Sequence, residues 1–168
     1  MAGVSPFEHT LASLRPELLR FALWLARDRQ TAEDVVQEAM LRAWKAQGEL
    51  TKPEALRPWL LTIVRREHAR LYERKRHPTT DIDGLISLED PALAASEDQQ
   101  LDELRAAILR LPDDYREPLV MQVLGGFSTQ EIATEMNLTQ QAVLTRLFRA
   151  RGKLREICGV AAAAGDAP

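Results

Sequence analysis

The sequence predicts an all-α protein in which a flexible acidic linker joins two small helical domains, the second of them containing a helix-turn-helix. Apolar residues recur at helical spacing along most of the chain, while β-branched runs are few and aromatic residues make up only 5% of the composition. Acidic residues concentrate in one stretch between the two periodic halves. With 168 residues, the chain is long enough for two domains with modest cores.

Composition and spacing also exclude several classes of function. The single cysteine, Cys158, excludes an internal disulfide and a cysteine-based zinc site. His9, His68 and His77 lie in separate segments without metal-ligand spacing, and no glycine-rich phosphate loop occurs. No apolar run approaches the roughly 20 residues of a membrane span, and the N-terminus lacks a signal-peptide pattern. We therefore expect a soluble, cytoplasmic protein that is not an enzyme and has no catalytic residues, metal, cofactor, small-molecule substrate or membrane insertion.

Two short helices are expected at the start of the chain. Ser5 and Glu8 form a capping box, with Pro6 at the first helical position. Pro16 is expected to end the first helix. A second helix would then bury the stripe formed by Leu18, Phe21, Ala22 and Leu25.

The next helix is predicted over residues 31–47, TAEDVVQEAMLRAWKAQ, with Thr31 as its N-cap. Its core face is expected to consist of Val36, Met40, Ala43 and Trp44. A second face, polar except for one leucine, carries Asp34, Gln37, Glu38, Leu41 and Lys45. A lone exposed leucine is ordinary, but one flanked by acids and an amide is also typical of a docking surface for another protein's helix.

A loop and a basic helix follow. Gly48 and Pro53 mark a loop over residues 48–55. The helix that begins at Leu56 is expected to bury Leu56, Trp59, Leu60, Ile63, Val64 and Leu71. On another face Arg66, Arg70 and Arg74 repeat at every fourth residue, a spacing that can follow a phosphate backbone while an aromatic neighbour stacks on unpaired bases. The alternative is a solvated basic face with Trp59 wholly in the core.

Charge is distributed unevenly around the net value of −3. Residues 57–76 hold seven basic and two acidic side chains, whereas residues 80–103 hold eight acidic and no basic ones. Local charge decides binding, so the net value does not exclude a nucleic-acid partner. The negative charge and low aromatic content of residues 78–96 predict a flexible linker.

The second domain is predicted over residues 97–158. Ser96 and Gln99 are expected to cap its first helix, whose apolar stripe is Leu101, Leu104, Ile108 and Leu111. A helix through Leu119 and Val123 then leads to a glycine pair and the helix-turn-helix. Residues 159–168 lack packing groups, so we expect a disordered tail.

The helix-turn-helix itself is predicted from two caps. Ser128 with Glu131 starts a short helix, and Thr139 caps a second one with the apolar stripe Val143, Leu147, Ala150 and Leu154. Up to residue 155 this second helix carries five positive charges and no negative one. Such a helix can lie in a DNA major groove. An ordinary helical hairpin with a solvated charged face is the alternative.

Two runs of the sequence resemble bacterial RNA polymerase sigma factors of the extracytoplasmic-function (ECF) group in the sigma-70 family. The run AEDVVQE, residues 32–38, is similar to the segment with which that family docks on core polymerase. The residues that match the family's −35-binding region are Gly126, Glu131, Ile132, Ala133, Val143, Arg146, Leu147, Arg149, Ala150 and Arg151.

The resemblance implies three sites and their partners. In the domain over residues 5–77, core polymerase would be contacted by Asp34, Gln37, Glu38 and Leu41. The single-stranded −10 element would be bound there by Leu50, Thr51, Lys52, Arg57, Trp59, Arg66, Arg70 and Arg74. The −35 duplex would be bound by Gln141, Leu144, Thr145, Arg146, Phe148, Arg149, Arg151 and Lys153. An anti-sigma factor is a further implied partner.

Two alternatives share part of this pattern. A two-domain transcription activator would also end in a helix-turn-helix, but it would need neither the face around Leu41 nor the basic helix before the linker. A protein that only binds polymerase, such as a decoy, would keep that face and lose the basic helices.

Overall fold

The computed structural model describes residues 3–75 and 99–159. All regular elements of the described residues are helices, and the chain divides into two compact units between residues 87 and 88. An all-α, two-domain fold is therefore confirmed. The expectations for the linker over residues 78–96, the Ser96 cap and the tail beyond residue 159 lie outside the described residues.

The first unit contains three long helices: α1 (Pro6–Ala26), α2 (Arg29–Lys45) and α3 (Leu56–Lys75). Two 3₁₀ turns, Gln47–Glu49 and Pro53–Ala55, occupy the predicted loop between α2 and α3. Each long helix packs on the other two. The largest buried side chains of this unit are Leu18, Phe21, Leu23, Leu25, Val36, Leu60, Leu61 and Val64.

The helix α1 is continuous, so the prediction that Pro16 divides it was wrong. A proline inside a helix removes one backbone hydrogen bond, which leaves the carbonyl four residues earlier without its donor. Pro16 and Ala12 are both exposed, so that carbonyl can be hydrated. Because Leu11, Leu18 and Leu19 are buried on the other side, tertiary packing holds the helix together through the proline.

The start of α2 also differs from the prediction. Asp28, not Thr31, is the N-cap, and its side chain accepts a 3.0 Å hydrogen bond from the Thr31 backbone N–H. The Thr31 hydroxyl donates to the same carboxylate. Asp and Thr both cap helices well. Asp28 is the N-cap here because the helix must begin before Ala32, which is fully buried within it.

The second unit contains α4 (Gln99–Arg110), α5 (Asp113–Val123), α6 (Thr129–Met136) and α7 (Gln140–Ile157). Its buried apolar side chains include Ala107, Leu111, Met121, Phe127, Ile132, Val143, Leu147 and Ala150. Leu104, expected in the apolar stripe of α4, is 39% exposed, so that assignment was wrong. Arg116 is buried instead, where it donates to the Leu111 carbonyl over 2.8 Å and pairs with Asp113.

Candidate functional site

The two helices of the predicted helix-turn-helix are joined by a tight turn at residues 137–139. Asn137 adopts a left-handed conformation with φ of 54°, which asparagine tolerates better than most residues. The Thr139 hydroxyl then accepts a 3.1 Å hydrogen bond from the Ala142 backbone N–H and caps α7. Across the turn, the Gln140 amide donates to the Thr129 hydroxyl over 3.0 Å. These contacts fix the start of α7 relative to α6.

The outer face of α7 carries an apolar surface among polar side chains. Phe148 is 76% exposed and Leu144 is 45% exposed. Gln141 and Arg149 are also exposed, while Thr145 is half-buried with its hydroxyl donating to the Gln141 carbonyl. Exposed apolar groups on a helix of this kind suit the methyl group of thymine. The predicted sequence-reading face is thus available to a DNA groove.

Basic side chains flank this face and contact α5 or the residues at its start. Arg146 pairs with Asp114 at 3.7 Å, and the ammonium of Lys153 lies 5.6 Å from the centre of the Tyr115 ring. Arg151 donates to the side-chain oxygen of Gln122 over 2.5 Å. Surface contacts of this type contribute little stability, so a DNA phosphate can replace them.

The face of α2 predicted to dock on another protein lies outside the core. Asp34, Gln37, Glu38 and Leu41 are all exposed, Leu41 by 45%; we refer to these four residues as the docking stripe. Asp34 accepts a 3.0 Å hydrogen bond from Gln30, and Glu38 pairs with Arg42 at 3.2 Å. None of these four side chains is part of the buried core, so a partner could bind them without disturbing the fold.

Trp44 does not belong to the core face to which the sequence assigned it. Its side chain is 47% exposed, and its indole N–H donates to Glu8 Oε1 over 3.1 Å. The other oxygen of Glu8 accepts from the Ser5 backbone N–H, also over 3.1 Å, which completes the predicted capping box. Hydrogen bonds from Ser5 and then from Trp44 hold the pKa of Glu8 below its ordinary value of 4.5.

The hydrogen bond between Trp44 and Glu8 is expected to depend on pH only in the acid range. A lowered pKa means that the stabilisation by ionised Glu8 is present above the unfolded-state pKa and is lost as the pH falls through the lower folded-state pKa. The indole N–H resonance of Trp44 should therefore shift only below pH 4.5 in an NMR titration, and should be constant between about pH 6 and 8. Glu8→Gln, which keeps an acceptor oxygen, should remove the shift. A Trp44 transition above pH 4.5 would contradict the assignment.

The residues predicted to bind the −10 element occupy the loop and the length of α3. Thr51 and Lys52 are exposed between the two 3₁₀ turns, and Leu50 is half-buried. Arg57 pairs with Glu17 of α1 through a 2.5 Å hydrogen bond. The remaining predicted residues are Trp59, which is half-buried, and Arg66, Arg70 and Arg74, which are exposed.

Arg42 of α2 and Glu67 of α3, neither of which the sequence singled out, form an ion pair that connects the helix of the docking stripe to α3. Glu67 is only 7% exposed, and its carboxylate lies 2.6 Å from Arg42 Nε and 3.6 Å from Arg70 Nη1. A cleft of about 300 Å³ between α2 and α3, here the α2–α3 cleft, is lined by Asp34, Val35, Glu38, Arg42, Glu67, Leu71, Arg70 and Arg74. Glu67 falls in the heptad-like series Leu60, Val64, Glu67 and Leu71, so an acid within a core stripe was the available signal.

Within the described ranges, no cluster of three or more His, Cys, Asp or Glu side chains is placed to hold a metal ion. None of the helices in these ranges has the length and apolar character needed to cross a bilayer.

Comparisons with known proteins match both units. Residues 11–77 match the family described as Sigma-70 region 2, and residues 101–154 match Sigma-70, region 4. The ECF RNA polymerase sigma factor EcfG of Rhodopseudomonas palustris is 32% identical, over 83% of this chain and 77% of that protein. The probable RNA polymerase sigma factor RfaY of Xanthomonas campestris pv. campestris is 35% identical over 80% of this chain, which spans 36% of its length.

A solved structure shares the fold over nearly the full chain. It is the sigma factor RpoE from Bartonella quintana, crystallised in complex with the anti-sigma factor NepR. Its TM-score is 0.66 at 27% sequence identity, with 92% of this chain and 97% of that chain covered.

Proposed function

The chain belongs to the ECF group of RNA polymerase sigma factors, and from that premise we propose that it selects promoters for core polymerase by binding contacts alone. It docks on core polymerase, recognises the −35 and −10 elements, and promotes melting of the DNA between its contacts. Polymerase supplies all of the chemistry, so the protein itself is not an enzyme and works in the cytoplasm. The observation that carries the proposal is the presence, in one chain, of an exposed docking stripe and a helix-turn-helix with an exposed reading face.

Docking on polymerase is assigned to the docking stripe. Leu41 supplies an apolar anchor, and Asp34 and Glu38 surround it with negative charge. Interfaces commonly concentrate their binding energy in such a central apolar group, while charged neighbours set the orientation and the rate of association.

Recognition of the −35 duplex is assigned to α7. The hydrogen bonds at the α6–α7 turn hold the start of α7 against α6, which supports recognition of base edges by the first residues of α7, as in other helix-turn-helix proteins. Gln141, Leu144, Thr145, Phe148 and Arg149 would read bases, whereas Arg146, Arg151 and Lys153 would contact phosphates.

Leu144→Arg is expected to change the preferred −35 base without unfolding the second unit. Leucine suits a thymine methyl, whereas arginine suits the O6 and N7 atoms of guanine, and each good pairing discriminates by about 1–3 kcal/mol. Many ECF sigma factors carry a basic residue at this position. The measurement is a selection from promoters randomised in the −35 element, using polymerase assembled with each variant. Val123→Arg places the same side chain on α5, at a residue that is 65% exposed, and should leave the preference unaltered. The same base preference in Leu144→Arg would contradict the assignment.

Capture of the melted −10 strand is assigned to the loop and the start of α3. Leu50, Thr51 and Lys52 lie in the loop between the two 3₁₀ turns, with Thr51 and Lys52 exposed, and would capture an unpaired base, a mode available to single strands but not to an intact duplex. Trp59 is half-buried and presents part of its ring for stacking, and Arg57 and Arg66 add positive charge.

An anti-sigma factor is the proposed regulator. The related RpoE was crystallised with NepR, and a protein that covers the docking stripe would prevent binding to polymerase. Such a partner would compete with polymerase for the docking stripe, so the same surface would serve both polymerase binding and its inhibition.

The test of the proposal is whether promoter binding requires polymerase. Electrophoretic mobility shifts should show that this protein and core polymerase together bind promoter fragments that neither binds alone at the same concentration. An activator would instead bind its duplex by itself through the helix-turn-helix, and core polymerase would not retain it. That second result would favour the activator alternative.

A further inference from the structure

Three basic side chains of α7 each contact a side chain of α5. The pairs are Arg146 with Asp114 at 3.7 Å, the Lys153 ammonium with the Tyr115 ring at 5.6 Å, and Arg151 with Gln122 at 2.5 Å. The first two partners belong to the first turn of α5 and the third belongs to its last turn. The side chains assigned to phosphates of the −35 duplex are therefore all held by one helix.

The three partners differ in charge. Two of them, an amide and a phenol ring, are uncharged, so they leave the positive charge of their α7 residues intact. Asp114 is the exception, because its carboxylate offsets the charge of Arg146. Affinity for duplex DNA grows with the number of phosphates that are neutralised, so an offset arginine contributes less than a full contact. Of the three partners, Asp114 is therefore the one that opposes binding of the DNA backbone.

The neighbouring carboxylate has a different role. Asp113 pairs with Arg116, whose side chain is buried and also donates to the Leu111 carbonyl. Asp114 instead makes its contact at the surface, where its side chain is 78% exposed and that of Arg146 is 29% exposed. Exposed ion pairs are weak, so a phosphate can displace this carboxylate. Asp113 thus serves the fold, while Asp114 can be exchanged for a ligand.

Asp114 contacts the first member of a basic stripe on one side of α7. Arg146, Arg149 and Lys153 follow one another at spacings of three and four residues, which places them on the same side of the helix. Such a stripe can follow the phosphates of one DNA strand. Three cations and one carboxylate leave this stripe with two net positive charges instead of three.

We propose that Asp114 limits the affinity of this protein for promoter DNA by competing with a backbone phosphate of the −35 duplex for the Arg146 guanidinium. Whenever the duplex binds, the carboxylate either is displaced or remains close to the phosphate, and both weaken the contact. The effect falls on affinity and not on base preference, because phosphate contacts carry no sequence information directly. Non-specific binding relies on the same phosphates, so Asp114 also limits retention on DNA of other sequences. The inference rests on the proposed function, since it assigns the −35 duplex to α7.

The test measures binding of a promoter fragment by the full chain assembled with core polymerase, over a series of salt concentrations. Asp114→Asn should raise the affinity about two- to fivefold, the range expected of an exposed ion pair. It should also increase the magnitude of the log–log salt slope by up to about 1 and leave the preferred −35 bases unaltered. The matched control is the same substitution in an Arg146→Ala background, where the affinity should change by less than about 1.5-fold.

Three results would overturn the inference while the proposed function stands. An unaltered or lowered affinity for Asp114→Asn would leave Asp114 with only the stabilising role of an acid near a helix N-terminus. A rise that persists in the Arg146→Ala background would show that Asp114 does not compete for Arg146. If Asp114→Asn lowers the unfolding midpoint, Asp114→Ala removes the same charge with a better helix former, and the absence of a rise there would also contradict the inference. Failure of the unsubstituted protein and polymerase to bind any promoter would overturn the proposed function and this inference with it.

Discussion

Leu41→Ala combined with Glu38→Lys is expected to abolish capture of this protein by core RNA polymerase while leaving its thermal unfolding midpoint nearly unchanged. Both side chains are exposed, and surface substitutions usually change stability by less than about 0.5 kcal/mol. The 3.2 Å pair of Glu38 with Arg42 is a solvent-exposed i,i+4 contact and adds little to this. Truncating a central anchor of an interface commonly costs about 2 kcal/mol or more, and reversing a facing charge adds repulsion. The measurements are polymerase capture and calorimetry on the same samples.

A matched control is Val4→Ala combined with Glu54→Lys. Val4 is 71% exposed and Glu54 is also exposed, so the control repeats the Glu→Lys reversal and makes a comparable apolar truncation on the first unit away from α2. Capture of this control should equal that of the unsubstituted protein. If Leu41→Ala/Glu38→Lys unfolds at low temperature, the stripe belongs to the core. If it stays folded and is still captured, the interface lies elsewhere.

Gly125→Ala is expected to destabilise the second unit strongly, whereas Gly152→Ala is expected to stabilise it. A Cβ at Gly125 would lie 2.7 Å from the Met121 carbonyl oxygen and 2.6 Å from Phe127 Cδ2. That oxygen also accepts the Phe127 N–H, and Phe127 is only 6% exposed, so relief of the clash must move the buried turn that leads into α6. Overpacking of this kind costs about 1–3 kcal/mol.

Gly152 serves as the matched control. It lies inside α7, and a Cβ there would meet no heavy atom within 4 Å. Replacing a helix-interior glycine by alanine gains about 0.5–1 kcal/mol. Calorimetry of the second unit's transition should therefore move in opposite directions for the two variants, by about 4–8 °C per kcal/mol. Equal midpoints for Gly125→Ala and the unsubstituted protein would show that the turn relaxes around the added methyl group.

Local rules of helix formation carried much of the fold prediction. The capping box of Ser5 and Glu8 and the cap at Thr139 lie where the sequence puts them, because a cap depends only on residues within one turn. Only part of the box at Ser128 is present, since its hydroxyl both accepts from the Glu131 N–H and donates to the Glu131 side chain. Whether Pro16 ends a helix depends on packing elsewhere, and here the buried leucines on either side decide it.

Local rules of helix formation could not predict the contacts between helices. Trp44 has the spacing of a core residue, but Glu8, distant in sequence, holds its indole at the surface. Glu67 lies in the apolar series of α3, and the approach of Arg42 from α2, with Arg70 of its own helix nearby, makes the burial of its charge tolerable. The exposure of Leu144 and Phe148 on α7, and of the docking stripe on α2, was predictable because each lies away from the apolar stripe of its own helix, and the described residues leave these side chains open to solvent.

Run-off transcription tests the central claim most directly. Core polymerase, freed of other sigma factors, is incubated with a library of promoter fragments with and without this protein, and transcript start sites are mapped. Transcripts that require the protein and share −35 and −10 elements are predicted, and Leu41→Ala/Glu38→Lys should eliminate them. Transcripts that appear only when a second sigma factor is supplied, or no transcripts from a folded protein that polymerase captures, would contradict the account.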